Sequence, residues 1–497
     1  MRSIKTSIYQ TQQIREIEHL ARERVGISAQ VMMQRAGKAA WDFLLKRWPQ
    51  VQEIAVFCGA GNNGGDGYVL ALLAHTHGLQ VTIWQVGQQE IRQEEARQAF
   101  DACVQAKISI HPFSEKADLK HPDVVVDAIC GIGVHDHLRD DVIAVIKKMQ
   151  RVKAPIFALD IPTGMDADTG CLLGTAVHAT ATITFIGLKL GLLTGSGITY
   201  TGELVCDDLQ LPTEVLASVQ PVAEQIHLRS YSTYLKSRPR DWHKGLSGHV
   251  LIVGGEVGFS GAPRMAAEAA LRVGAGLVSV ATRVENAAMM NVGCPEIMCH
   301  GIHSAQDLAP LVAKASVIIL GPGLGQSDWS QTVWTHLIEK ELPLVIDADG
   351  LNLLSQTSKV NENWVLTPHP GEAARLLGQT SLTVQHNRLA AANAINKRYG
   401  GVCVLKGAGT FVLSPHSLPA LCDRGNPGMA SAGMGDVLSG VIGGLIAQGI
   451  PLGEAAKMGV VVHAMAGDLA AQKGERGMMA TDLMPYLRRL VNDSSSG

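Results

Sequence analysis

Asp436 closes the run Asn426-Pro427-Gly428-Met429-Ala430-Ser431-Ala432-Gly433-Met434-Gly435-Asp436, just ahead of an apolar stretch of helical length that starts Val437-Leu438-Ser439-Gly440. Glycines and small residues at this spacing make a tight turn. A helix opening from such a turn presents unpaired backbone N–H groups and a partial positive charge. The turn can hold a phosphate while the Asp436 carboxylate takes a proton from a hydroxyl. The same pattern also describes a helix whose first-turn acid is only a cap. The turn alone does not choose between these readings.

Other loops of the second half carry unusual residues directly after short apolar strands. The strand His249-Val250-Leu251-Ile252-Val253-Gly254-Gly255 is followed by Ser260-Gly261-Ala262-Pro263 and an alanine-rich helix. Strands predicted at 277–282, 317–320, 344–347, 364–367 and 402–406 make a second α/β region. The loops that follow include Gly321-Pro322-Gly323-Leu324-Gly325, Asp347-Ala348-Asp349-Gly350, Thr367-Pro368-His369-Pro370-Gly371-Glu372 and Lys406-Gly407-Ala408-Gly409-Thr410. Singly, His369 reads as a rigid exposed turn, Lys406 as a solvated strand end, and Asp347 and Asp349 as helix caps. Together with the Asp436 turn they supply backbone donors, carboxylates, a cation and a base, the parts phosphoryl transfer needs. The chain has no Gly-x4-Gly-Lys-Ser/Thr loop and no protein-kinase motif set.

The first half offers a different constellation. The strand Glu53-Ile54-Ala55-Val56-Phe57-Cys58 runs into Gly59-Ala60-Gly61-Asn62-Asn63-Gly64-Gly65-Asp66-Gly67, and a helix is predicted over 68–75. Strand, glycine loop and helix form a phosphate- or nucleotide-binding turn, and Gly59-x-Gly61-x-x-Gly64 has dinucleotide-fingerprint spacing. The confirming acidic residue is missing, because the next strand, 81–86, ends in Gly87 and glutamines. That excludes an ordinary redox dinucleotide domain. Two more strands end in polar clusters, one at Asp127 and Gly131-Ile132-Gly133-Val134-His135-Asp136-His137, the other at Asp160-Ile161-Pro162-Thr163-Gly164. In an open parallel sheet all three loops lie beyond the carboxyl ends of the strands, where ligands bind. Asn63, Asp127 and Thr163 offer hard oxygen ligands, which suit an alkali or alkaline-earth cation rather than zinc.

These loops need a scaffold, and length and composition say what kind. A chain of 497 residues, 46% hydrophobic and 18% charged, has material for two or three buried cores. Helices are expected over 10–24 and 28–48, ahead of the first glycine loop. The expected organisation is a Rossmann-like three-layer domain over 1–218, a connecting segment over 219–236 and a second α/β domain over 237–497. A formal charge of -3 gives no reason to expect nucleic acid or an anionic membrane. Nine scattered cysteines without a Cys-x-x-Cys pair suggest neither zinc nor a disulfide framework. With a polar start and no apolar run long enough to span a bilayer, a cytoplasmic protein is expected, without membrane partners. Exposed helices on α/β domains often mediate association, so a homo-oligomer is expected.

The motifs carry a family resemblance. Gly-Asn-Asn-Gly-Gly-Asp-Gly at 61–67, the Asp127 loop and Ala158-Leu159-Asp160-Ile161-Pro162-Thr163-Gly164 resemble the NAD(P)H-hydrate epimerase domain over about 10–215. The resemblance implies that Asn62, Asn63, Gly64, Gly65, Asp66, Gly131 to His137 and Asp160 hold a hydrated nicotinamide nucleotide. It also implies potassium at Asn63, Asp127 and Thr163, with Asp160 catalytic. The Gly-x-Gly-Asp turn resembles the ribokinase-like superfamily, with Met434 where alanine is usual. More specifically, residues from about 230 to 490 are similar to the ADP/ATP-dependent NAD(P)H-hydrate dehydratase. That similarity implies nucleotide contacts at Lys406, Gly407, Ala408, Gly409, Thr410 and Gly435, hydrate contacts at Ala262, Gly323, His369 and Asp436, catalysis by Asp436, and magnesium. A fused chain of this kind favours ADP over ATP and would repair both hydrate epimers. The rival expectations are a kinase of a small alcohol and a first domain that only binds nucleotide and regulates the second.

Overall fold

Val124-Val125-Val126-Asp127-Ala128 is apolar almost throughout instead of alternating, the pattern of a strand covered on both faces. In the computed structural model, which describes residues 6–87, 90–119, 121–134 and 137–492, all five are buried. The chain divides into a unit of residues 1–224 and one of 225–497.

In the first unit the strands are β1 (Ser7–Tyr9), β2 (Glu53–Cys58), β3 (Gln80–Gln85), β4 (Ser109–Pro112), β5 (Val124–Ala128), β6 (Ile156–Leu159), β7 (Ala181–Phe185), β8 (Leu188–Lys189) and β9 (Glu203–Asp207). Seven form a parallel sheet in the order β4-β3-β2-β5-β6-β7-β9. Alternate β2 residues enter different cores. Ile54, Val56 and Cys58 pack with the helices Ala29–Arg47 and Asn62–Thr76, whereas Ala55 and Phe57 pack with Asp140–Met149. This is the expected three-layer α/β arrangement. The short β1 lies beside β8 and pairs antiparallel with β10 (Ala223–Gln225), Ser7 facing Glu224. Chain order reverses between β2 and β5, and a crevice opens at such a switch point.

The helix after β2 begins at Asn62, not at 68 as the sequence predicts. None of Gly59, Gly61, Gly64, Gly65 and Gly67 has a positive φ, so turning is not their purpose. All but Gly61, which has open space beside it, allow close approach instead. A Cβ on Gly64 would stand 2.0 Å from the Gly59 carbonyl oxygen, and one on Gly67 2.5 Å from the Ala128 Cβ. Gly64→Ala is therefore expected to destabilise the first unit by about 1–3 kcal/mol, as overpacking typically does. Calorimetry checks this, with a lowered transition for that unit as the expected result.

The second unit contains β11 (His249–Val253), β12 (Leu277–Arg283), β13 (Met298–Ile302), β14 (Val317–Leu320), β15 (Leu344–Ile346), β16 (Trp364–Leu366), β17 (Val402–Leu405), β18 (Thr410–Leu413) and β19 (Ala420–Cys422). Their order is β13-β12-β11-β14-β15-β16-β17-β18-β19, parallel as far as β17 and antiparallel from there. Again the order reverses, between β11 and β14. From Val437 onward the helix Met434–Ala447 is buried throughout and apolar except for Ser439, the pattern of a helix enclosed on all sides. Its glycines let neighbours approach. A Cβ on Gly440 would stand 2.1 Å from the Ala266 carbonyl oxygen, and one on Gly443 2.6 Å from the Ile319 Cδ1. The helix is thereby set between the helix Gly261–Arg272 and the sheet, with its N-terminus at the carboxyl ends of the strands.

Candidate functional sites

In the first unit the loops after β2, β5 and β6 border a cavity of about 760 Å3. Of the residues expected there, Asn62, Asn63, Asp66, Gly131, Ile132, Gly133, Val134, His137 and Asp160 line it. Gly64 and Gly65 do not. They pack against Gly59 and Met33. His135 and Asp136 lie outside the described residues.

Asp160 follows β6 with φ of 64°, a left-handed conformation that costs a side-chain-bearing residue free energy and that Asp tolerates better than most. Its amide donates to the Ile183 carbonyl, and its carboxylate is gripped from three sides. Oδ1 accepts from Lys189 Nζ at 2.6 Å and from the Thr184 hydroxyl at 3.2 Å, and Oδ2 accepts from the Ile132 amide at 3.2 Å. Lys189 is 1% exposed and also donates to the Phe185 carbonyl at 2.7 Å. Sequence reasoning passed over this lysine, although a single charge inside Phe185-Ile186-Gly187-Leu188-Lys189-Leu190 is a signal in itself, because a lone buried ammonium demands a partner. Asp66 faces the same cavity and accepts no hydrogen bond from the described residues. Burial, with Asp160 and Glu18 nearby, holds its carboxyl well above the usual carboxylate range.

Asp127 and Thr163 are fully buried and bonded to each other. Asp127 Oδ1 accepts from the Thr163 hydroxyl at 2.7 Å, and Oδ2 accepts from its amide at 2.8 Å. Burial raises the Asp127 carboxyl to about 6. Asn63 donates through Nδ2 to the Cys130 and Leu159 carbonyls, while its buried Oδ1 has no partner among the described residues.

In the second unit Asp436 occupies the first turn of Met434–Ala447, behind Gly433 in the left-handed region (φ 87°). The amides of Met434, Gly435 and Asp436 have no backbone partner among the described residues, and the first helical bond runs from the Val437 amide to the Gly433 carbonyl. Burial first, then the nearby Asp347, raises the Asp436 carboxyl to about 7. Lys406 sits against this turn, since a Cβ on Gly435 would lie 3.1 Å from its Nζ. Lys406 Nζ donates to Asp347 Oδ1 at 2.8 Å and lies 3.8 Å from Glu372 Oε2. Asp347 Oδ2 accepts from the Ser439 hydroxyl at 2.6 Å. Lys406 holds the Asp347 carboxyl below its usual range despite complete burial, whereas burial lifts Glu372 to about 7.

Asp347 and Asp349 are not the caps of the next helix. Ala348 stands at the cap position of Asp349–Leu354 without a side-chain bond, and Asp349 accepts from the Gly325 amide at 2.8 Å. His369 is exposed, and it does cap a helix: its Nδ1 accepts from the Gly371 and Glu372 amides while Glu372 accepts from the His369 amide. That leaves Nε2 to carry the proton of the neutral ring, 3.5 Å from Glu372 Oε1. Ala262 and Gly323 meet where the first turn of Gly261–Arg272 passes the β14 loop, since a Cβ on Gly323 would lie 3.3 Å from the Ala262 Cβ. The loop Lys406 to Thr410 joins β17 to β18, with Gly407 and Gly409 at positive φ. The structure thus brings Gly435, Asp436, Lys406, Asp347 and Glu372 together, and adds Ser439, which the sequence reading did not single out.

Comparisons agree with this division. Residues 250–489 match the family described as NAD(P)H-hydrate dehydratase, and 29–191 match the family described as YjeF-related protein N-terminus. A bifunctional NAD(P)H-hydrate repair enzyme of Coxiella burnetii is 48% identical, over 98% of this chain and 100% of its own length. The one from Escherichia coli is 42% identical, over 99% and 95%. A crystal structure of a Streptococcus mutans protein described only as hypothetical covers 55% of this chain and 100% of its own, with TM-score 0.51 and 30% identity. The chain belongs to the family of bifunctional NAD(P)H-hydrate repair enzymes.

Proposed function

We propose that this chain restores NADH and NADPH from their hydrates, with the first unit interconverting the R and S epimers and the second dehydrating the S form with ADP. The observation that carries the reading is the Asp436 carboxyl, titrating near 7 in a helix-opening turn beside the Lys406, Asp347 and Glu372 cluster. A base with a value near neutrality is suited to remove a hydroxyl proton there.

The hydrate bears a hydroxyl on the ring carbon next to nitrogen. Asp436 takes its proton, and the oxygen bonds to the terminal phosphorus of ADP as the bond to the AMP oxygen breaks. The amides of Met434, Gly435 and Asp436 hold the phosphoryl oxygens. The carbon–oxygen bond of the new ester then breaks, its electron pair leaving with phosphate while the ring nitrogen donates its own pair. Loss of the neighbouring ring proton restores the double bond. Lys406 to Thr410 and Gly435 take the nucleotide, and Ala262, Gly323 and His369 the hydrate. Among the described residues no three acidic, histidine or cysteine side chains are grouped to hold a metal, and Asp347 is committed to Lys406 and Ser439. Magnesium would therefore travel on the nucleotide phosphates and supply charge neutralisation.

In the first unit Asp160, bonded to Lys189, passes a proton to the hydroxyl as it departs as water while the ring nitrogen supplies its electron pair. Water adding to the other face of the cationic ring returns the proton to Asp160 and gives the other epimer. A potassium ion suits Asn63, Asp127 and Thr163, because the buried Asn63 Oδ1 has no donor among the described residues and Asp127 is a buried acid. When bound, it would supply the counter-charge. Potassium is then expected to raise the melting temperature of the first unit, because a ligand of the folded state stabilises it by mass action, about 2.7 kcal/mol at 100 times Kd. An equal melting temperature in potassium and in a bulky organic cation removes the ion from the site.

The test of function is recovery of nicotinamide absorbance from hydrated NADH with ADP and, separately, with ATP. Recovery is expected with at least one, and ADP is expected to be the better donor. No recovery while another alcohol is phosphorylated would make the second unit a small-alcohol kinase. A cytoplasmic homo-oligomer completes the reading. Among the described residues no helix is long and apolar enough to cross a membrane.

A further inference from the structure

Arg388 is 2% exposed, at the first position of the helix Arg388–Tyr399. A cation at a helix N-terminus is on the disfavoured side of the dipole, and a guanidinium is costly to bury. Burial even draws its value down to about 10. Something must offset this, and its hydrogen bonds say what. Nη2 donates to the carbonyls of Leu405 at 3.4 Å, Lys406 at 3.1 Å and Gly409 at 3.3 Å, and Nη1 donates to Gln385 Oε1 at 2.8 Å. The guanidinium lies directly under Gly407, whose φ is 130°, and a Cβ there would stand 3.0 Å from Nη1.

In a trans peptide the carbonyl of one residue and the amide of the next point opposite ways. The grip on the Lys406 carbonyl therefore turns the Gly407 amide away from Arg388, and the grip on Gly409 holds the far end of the loop. The amides of Gly407, Ala408 and Gly409 donate to no backbone or side-chain acceptor among the described residues. Gly407 and Ala408 are exposed. Successive free amides in a loop with left-handed residues form a concavity for anionic or carbonyl-like oxygens. We propose that Arg388 is the positioning residue of the nucleotide site, pinning the Leu405, Lys406 and Gly409 carbonyls at the two ends of the loop so that its exposed amides, those of Gly407 and Ala408, face the oxygens of the bound nucleotide. This rests on the reading that the loop from Lys406 to Thr410 takes the nucleotide. Arg388 itself touches the loop, and only the loop touches the ligand.

Steady-state dehydration by the full chain, titrated with ADP at saturating hydrate and the reverse, tests it in Arg388→Met, Arg388→Lys and Ala408→Glu. Losing hydrogen bonds from a charged donor is expected to raise KM for ADP about tenfold or more in Arg388→Met. Arg388→Lys, with a point charge in place of the planar fork, falls between that variant and the parent. KM for the hydrate and kcat at saturating ADP stay within about twofold in both, whereas general loosening of the unit would move all three constants. Ala408→Glu sets a carboxylate among the amides without altering Arg388. If it leaves KM for ADP unchanged, the loop is not the nucleotide site and the underlying reading fails. If it raises KM while both Arg388 variants keep the parent value, only the role of Arg388 is overturned. Should Arg388→Met fail to fold, Arg388→Lys decides alone, and a parental KM for ADP in it overturns the proposal. Adenosine and pyrophosphate as competitors show which nucleotide oxygens the amides meet, through the one whose inhibition constant rises in the Arg388 variants. A rise for neither counts against the proposal.

Discussion

Asp436→Asn is expected to cut ADP-dependent dehydration about 10^3-fold, the usual scale of a lost general base, while nucleotide affinity and epimerisation stay near the parent. The amide keeps the shape of the side chain and leaves the Met434 to Asp436 donors in place, so only the proton acceptor is removed. Near-normal turnover in the variant would take the base role from Asp436. The parent also has a signature in pH. Its carboxyl is raised to about 7, so the competent anion is the minority form below that value. Log kcat/KM for dehydration should fall with unit slope as pH drops below about 7, and level off above. A profile flat from pH 5 to 8 would exclude a base with this titration. Glu372, also raised to about 7, lies 3.8 Å from Lys406, and its neutralisation there leaves Lys406 to Asp347 alone.

Asp160→Asn is expected to separate the epimers. The S hydrate still disappears at the parental rate, whereas the R hydrate waits for spontaneous interconversion, a loss of about 10^2–10^4-fold in epimerisation. The damage is twofold. The side chain no longer exchanges a proton, and Lys189, 1% exposed, loses its anion. Breaking a buried pair by removing one partner costs about 3–5 kcal/mol, so the first unit should also melt earlier. Lys189→Met in the same background removes the stranded charge, and is expected to recover stability without recovering epimerisation. Equal disappearance of both epimers in Asp160→Asn would end the assignment.

Much of this was open to inspection in the sequence, for a physical reason. Strands buried on both faces are written as unbroken apolar runs, so β2, β5, β6, β14 and β17 stand out with their loops. Residues that end such strands in a parallel sheet converge whatever their separation along the chain. That is why the loops of Asn63, Asp127 and Asp160, and those of Asp347, Lys406 and Asp436, could be grouped before any coordinates. What escaped was whatever depends on a partner far along the chain. Ser439 is an ordinary serine in an apolar helix until its hydroxyl meets Asp347, 92 residues earlier. Lys189 and Arg388 likewise gain meaning only from Asp160 and from the carbonyls of the 405–409 loop. β13, with its half-exposed Met298-Cys299-His300-Gly301, lacks the apolar run that reveals its neighbours. The glycine loop misled in the opposite direction. Five glycines between 59 and 67 argue against a helix on propensity, yet at Gly64, Gly65 and Gly67 the Gly59 backbone, Met33 and Ala128 leave no room for a side chain, and tertiary packing overrides the local preference.

The helix that carries Asp436 is held on every side, with Gly440 against the Ala266 backbone and Gly443 against Ile319. An element so enclosed has no local way to open, and its amides beyond the first turn should exchange with deuterium only when the whole unit unfolds. The base is therefore a fixed anvil, and the moving parts of the reaction are the hydrate and the nucleotide. Any step that paces turnover by motion belongs to the loops around the turn, where the protein can yield without shifting the carboxylate.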